Sequence, residues 1–119
     1  MNNDQTTSLA ELRTLMRTFV AERDWQQFHS PKNLAMSTAI EAAELMEHFQ
    51  WLEVEASRCV INQPEKLAAI GEELADVLCY CFALANSLEL DISQIVRSKM
   101  AKNALKYPAA EFRGKSGRD

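Results

Sequence analysis

A chain of 119 residues, 47% apolar and 25% charged, can bury a core as one domain without disulfide or metal staples. Its net charge of −4 and pI near 5.2 disfavour general attraction to nucleic acid or to an anionic membrane. No apolar run approaches the roughly 18 residues of a membrane span. The opening "MNNDQTTS" lacks the cationic and apolar regions of a secretion signal, so a cytoplasmic protein is expected.

Gly and Pro are scarce, three each, and apolar residues recur at helical spacing almost throughout, so the predicted class is all-α, a four-helix bundle. Residues 1–7 are read as a flexible N-terminus. Helix one starts at Ser8, which makes a capping box with Glu11, and runs to about Asp24. "DWQQFHSPKN" is a connector, in which Ser30 caps helix two and Pro31 takes its first position. Helix two runs to about Trp51. "ASRCVINQP" breaks the pattern, and Pro64 opens a long third helix reaching about Leu88. Asp91 and Gln94 form a second capping box for helix four, which stops before Pro108. The domain therefore covers 8–108, with 109–119 a polar, mobile tail. Cys59, Cys79 and Cys81 show no metal-type spacing and read as ordinary buried thiols.

Two of these helices carry acids where a core helix should be apolar. On helix two, Leu34, Leu45, Phe49 and Leu52 form a stripe, with Thr38 along it, Glu41 in its middle and Glu44 at its edge. On helix three, Ile70, Val77, Cys81 and Leu84 form a similar stripe that contains Glu73, with Asp76 and Tyr80 at the edge. Each helix thus turns a carboxylate pair, three residues apart, towards the interior. An isolated carboxylate there costs several kcal/mol unless it is protonated or paired. No Lys or Arg lies between Lys32 and Arg58 or between Lys66 and Arg97 to pair them. Four facing carboxylates call for a hard cation that accepts oxygen ligands, Mg²⁺ or Mn²⁺ as its substitute. Di-iron chemistry needs Glu-x-x-His pairs, and neither His29 nor His48 stands three residues after a Glu. Glu47 and Glu72 lie further round and read as solvated or supporting carboxylates.

Glu41-x-x-Glu44 followed by Glu73-x-x-Asp76 resembles the signature of the all-α nucleoside triphosphate pyrophosphatases, the MazG-like superfamily. "ERDWQQFHSPKNLAMSTAIEAAELMEHFQW", "EELADVLCY" and "SKMAKNALKYP" are similar to its dCTP pyrophosphatase branch. The resemblance covers most of residues 8–108. It implies Mg²⁺-dependent hydrolysis of a (deoxy)nucleoside triphosphate, dCTP or a related pyrimidine nucleotide, to the monophosphate and pyrophosphate. Glu41, Glu44, Glu73 and Asp76 become the metal ligands and catalytic carboxylates. Trp25 and Trp51 become walls for the base or sugar, Tyr80 a contact near the metal, and Lys99 and Asn103 contacts for phosphate or substrate. Some relatives carry a histidine on the first helix where this chain has Met16, which leaves the base preference open. The family also implies a homodimer or a dimer of dimers.

The residues themselves bear on these roles. On helix four, Ile92, Ile95, Val96 and Met100 form the inward face, which Lys99, Asn103 and Lys106 continue at helical spacing. His29 either holds a phosphate or caps a turn. Gly71 inside helix three is read as a point of close helix packing. Leu67, Leu74, Leu78 and Phe82 lie away from the acids, so helix three is apolar nearly all round and needs cover from a second copy. Tail residues Arg113, Lys115 and Arg118 either reach a neighbour's site or are disordered. With no Ser-His, Cys-His or lysine nucleophile present, the expected chemistry is attack of water at the α-phosphorus, with Glu44 or Glu47 accepting the proton. The same fold acting on dUTP or phosphoribosyl-ATP, or a non-catalytic helical module with a basic partner, are the alternatives.

Overall fold

The computed structural model describes residues 2–117, so Arg118 lies outside the described residues. Ser8 Oγ accepts the Glu11 N–H at 3.1 Å and opens α1 (Leu9–Glu22). That helix ends two residues before Asp24 because Asp24 adopts a left-handed conformation, φ 52°. The Asp24 N–H then donates to Ala21 O and the Trp25 N–H to Val20 O, the paired bonds of a helix-ending Schellman motif. Aspartate tolerates this geometry better than most side chains. The motif throws Trp25 off the helix axis and into a 3₁₀ turn over Gln26–Phe28.

Ser30 Oγ accepts the Asn33 N–H at 3.2 Å, and Pro31 begins α2 (Pro31–Glu47). This helix stops four residues short of Trp51. The N–H groups of His48 and Phe49 turn to carbonyls three residues back, Leu45 O and Met46 O, which tightens the last turn and closes the helix. The break in the sequence holds a short helix, α3 (Val54–Arg58), and a 3₁₀ turn at Val60–Asn62. Pro64 then opens α4 (Pro64–Ser87), 24 residues long. Among the described residues there is no strand, and no helix is long and apolar enough to cross a membrane.

Two compact units result, Met1–Glu89 and Leu90–Asp119. In the first, α2 lies along α4, and α1 packs against α4 as well. Leu34, only 1% exposed, is the most deeply buried side chain, joined by Val20, Val60, Ala83 and Ala85. The alanines on α4 let neighbouring helices approach closely. In the second unit, Asp91 Oδ1 accepts the Gln94 N–H at 2.9 Å and starts α5 (Ile92–Lys106). A turn of helix, α6 (Ala109–Phe112), follows, and Phe112 meets Tyr107 edge-to-face at 5.2 Å. Part of the expected tail is therefore structured.

Several expected burials are not met within one chain. Cys59 and Cys81 are exposed and Cys79 is half-buried, all three as free thiols. Burial, with a contribution from Asp76, raises the Cys79 thiol above its usual range. Cys81 falls on an outward stripe of α4 with Leu74 and Leu78, both exposed. A Cβ at Gly71 would meet nothing within 4 Å, so no helix of this chain packs closely there. On α5, Ile95, Val96 and Met100 are exposed rather than inward, and the helix has no buried residue. Their periodicity was helical and apolar, but a single chain of this size has too few neighbouring helices to cover every apolar stripe.

Candidate active site

The seam between α2 and α4 brings the two acid pairs together. Ligand oxygens of Glu41, Glu73 and Asp76 all lie within 4.8 Å of one another. Glu41 and Glu73 are half-buried and Asp76 is exposed, so the cluster opens to solvent on the Asp76 side. Glu41 Oε2 and Glu73 Oε2 are buried and have no hydrogen-bond partner. Two orphaned carboxylate oxygens side by side are costly unless something positive reaches them.

The electrostatics agree. Burial pushes the Glu41 carboxyl above the usual carboxylate range. The neighbouring Glu44 raises it further, by accepting a hydrogen bond from its protonated form and repelling its ionised form; the charges of Asp76 and Glu73 add to this. Burial also raises Glu73, with Glu44 and Asp76 in support and His48 opposing. Glu44, half-buried, thus acts on both, although it stands outside the group of mutually close oxygens that Glu41, Glu73 and Asp76 form.

His48 was not expected here. Its Nε2 lies 4.0 Å from Glu73 Oε1. The signal was present in the spacing, since His48 follows Glu44 by four residues and Glu41 by seven, one face of a helix. Thr38, one turn before Glu41, is satisfied locally by donating to Leu34 O at 2.8 Å. Tyr80 is half-buried one turn after Asp76 on the same face of α4. Glu47 and Glu72 are exposed, as read from their positions.

The aromatic residues divide. Trp25 packs edge-on against Phe19 at 5.7 Å and tilted to His29 at 6.5 Å, leaving 41% of its surface exposed. Trp51, in the turn after α2, is 88% exposed. His29 lines a pocket of about 250 Å³ in the first unit, together with Arg17, Gln26, Leu34, Ala83 and Asn86. Met16 borders the same pocket. In the second unit Lys99 is exposed and Asn103 half-buried, the latter donating to Met100 Sδ at 3.8 Å.

The MazG-like family model matches residues 36–117, the stretch that contains both acid pairs. This chain belongs to the MazG-like family. It is 43% identical over 107 residues to dCTP pyrophosphatase 1 of Rattus norvegicus, covering 90% of this chain and 63% of that protein. It is 42% identical over 109 residues to dCTP pyrophosphatase 1 of Homo sapiens, covering 92% and 64% respectively. The chain thus spans rather less than two thirds of the length of these relatives. A crystal structure of a pyrophosphatase from Archaeoglobus fulgidus superposes with a TM-score of 0.76 and 36% identity, over 91% of this chain and 99% of that one.

The donor set fits a hard divalent cation. All the groups are carboxylate oxygens, two of them are buried without a partner, and among the described residues no lysine or arginine forms an ion pair with them.

Proposed function

We propose that this chain is a divalent-cation-dependent pyrophosphatase that converts dCTP to dCMP and pyrophosphate, working on free nucleotide in the cytoplasm. The observation that carries this reading is the pair of orphaned oxygens, Glu41 Oε2 and Glu73 Oε2, inside an all-carboxylate cluster. The similarity to proteins named dCTP pyrophosphatase 1 supports the substrate, and the resemblance to a solved pyrophosphatase supports the reaction type.

Glu41, Glu44, Glu73 and Asp76 would hold Mg²⁺, with Mn²⁺ as a substitute. When bound, such an ion neutralises charge on the phosphate oxygens and lowers the pKa of a nearby water. The protein's own part is to orient and to move a proton. Glu44 sits beside both Glu41 and Glu73, whereas Glu47 is exposed, which favours Glu44 as acceptor of the proton from the water attacking the α-phosphorus. His48 Nε2, 4.0 Å from Glu73 Oε1, stands beside that carboxylate and favours its ionised form. Tyr80, half-buried one turn after Asp76, remains the proposed contact near the metal. Trp25, His29 and Trp51 remain the proposed contacts for base and sugar, and Lys99 and Asn103 those for the phosphates.

The working form is proposed to be a homodimer or homotetramer. Leu67, Leu74 and Leu78 expose an apolar stripe along α4, Gly71 on the same side leaves room for a close approach, and Met36 and Ile40 expose another stripe on α2. Light scattering is expected to give a multiple of 13.5 kDa that Leu74→Lys reduces. A wild-type monomer would contradict the assembly.

The deciding assay is pyrophosphate release across a panel of nucleotides that includes dCTP, dUTP and phosphoribosyl-ATP. Fastest turnover of dCTP, abolished by chelation, is expected. A protein that releases pyrophosphate from none of them with Mg²⁺ is not an enzyme of this class.

A further inference from the structure

The first unit also carries a pair of arginines held by one amide, and one of them, Arg17, lines the pocket that His29 lines. Arg13 Nε donates to Asn86 Oδ1 at 3.0 Å, and Arg17 Nη2 donates to the same oxygen at 3.1 Å. The Asn86 amide is held in turn, since its Nδ2 donates to Arg13 O at 3.1 Å. One neutral carbonyl thus anchors two guanidinium groups. Among the described residues neither arginine makes an ion pair with a carboxylate. Two fixed cations in an acidic chain, with only an amide oxygen between them, leave N–H donors to spare.

The pocket's position gives those donors an object. Leu34 in its wall precedes Glu41 by seven residues on α2, and Ala83 follows Asp76 by seven on α4. At 1.5 Å per residue both helices place the pocket about 10 Å from the acid cluster along the same seam. That is the scale of a nucleoside. With the polyphosphate at the carboxylates, the base end falls in a pocket of about 250 Å³ where Arg17, Gln26 and His29 supply the polar groups. Arginine presents parallel donors and no acceptor, so it pairs bidentately with two adjacent acceptors. Cytosine offers that edge, O2 beside an unprotonated N3. Uracil and thymine carry a proton on N3, which faces the guanidinium donor to donor.

We infer that Arg17, positioned by Asn86, is the specificity-determining residue that selects cytosine over uracil and thymine. The inference rests on the nucleotide-hydrolysing role proposed above and names the group that reads the base. Arg17 does not act at the phosphate, and Asn86 serves only to hold it in place. The cost of the wrong base lies in setting the guanidinium N–H against the N3–H of uracil or thymine where cytosine offers an acceptor. Lysine cannot replace Arg17, because an ammonium has no planar fork.

The test is equilibrium binding of dCMP and dUMP by calorimetry in the presence of EDTA, which keeps the carboxylate cluster out of the readout. Pyrophosphate release from dCTP and dUTP with Mg²⁺ is measured in parallel. The wild type is expected to prefer dCMP. Arg17→Ala and Arg17→Lys are each expected to weaken dCMP about tenfold and dUMP less than twofold, collapsing the preference. The ratio of kcat/KM for dCTP over dUTP should fall by the same factor. Asn86→Ala should shift the ratio in the same direction by a smaller factor. Circular dichroism and melting curves confirm that each variant is folded; Arg17 lies on the surface of α1, so both substitutions should be accepted. Equal weakening of both nucleotides, no weakening, or a wild type without preference overturns the inference. If the wild type turns over dCTP and the ratio stays put, only this inference falls. A wild type that releases no pyrophosphate removes the proposed function and the inference with it.

Discussion

The acids between α2 and α4 and the arginines of α1 that meet α4 at Asn86 solve the problem of charge in opposite ways. At one end Glu41, Glu73 and Asp76 crowd together with Glu44 nearby, and two buried oxygens are unpartnered. At the other, Arg13 and Arg17 share one amide oxygen, and among the described residues neither forms an ion pair with a carboxylate. The fold could have paired these charges with each other and gained stability; it keeps them about two helical turns apart instead. Under the proposed function the two groups would serve opposite ends of one ligand, a cation-bound polyphosphate and an acceptor edge.

The largest expected effect breaks the acidic end. Glu41→Gln and Glu73→Gln should each lower pyrophosphate release at least about 100-fold, a loss of several kcal/mol of transition-state stabilisation. The same substitutions should raise the melting temperature of the metal-free protein near pH 8, because they remove a repelled, partly buried charge. A variant that loses activity and stability together would point to a structural role for these acids.

Titration sharpens the contrast next. Glu41 and Glu73 are raised in the folded state, so above the ordinary carboxylate range near 4.5 the folded protein holds more protons than the unfolded chain. Stability of the metal-free protein must then fall as pH rises from that value through the raised folded-state pKa. Mg²⁺ should offset the loss increasingly as pH rises, since it binds the ionised forms. Thermal melts from pH 5 to 8, with EDTA and with Mg²⁺, give the two curves. Parallel curves would mean that the cation binds elsewhere.

A smaller effect is expected at the basic end. Asn86→Ala removes the shared acceptor and should cost about 1–2 kcal/mol in a denaturant melt, without the pH dependence of the acidic end. The smallest serves as a control. Ser30→Ala removes the cap of α2 and should cost about 1 kcal/mol, leaving metal affinity and base preference alike unchanged.

Much of this molecule was legible from short-range patterns. Ser8, Ser30 and Asp91 cap helices where the spacing placed them, because a cap is decided within three residues. The meeting of Glu41 with Glu73 and Asp76 followed from helical periodicity and the absence of nearby lysine or arginine. What the pattern could not reveal depends on distant partners. Asn86 meets Arg13 across 73 residues of sequence, and no periodicity announces it. The end of α2 at Glu47 depends on the N–H groups of His48 and Phe49 reaching carbonyls three residues back rather than on any breaker residue. Cys81, Ile95 and Met100 read as interior because they are apolar at helical spacing, yet one chain leaves them exposed. Exposure of that kind is a property of how many neighbours a helix has, and composition does not count neighbours.

The most direct test is anomalous diffraction from crystals of the protein soaked in Mn²⁺. A peak is expected within coordination distance of oxygens from Glu41, Glu44, Glu73 and Asp76, and it should vanish in Glu41→Gln. Manganese bound away from these four side chains, or a peak indifferent to the substitution, would contradict the account.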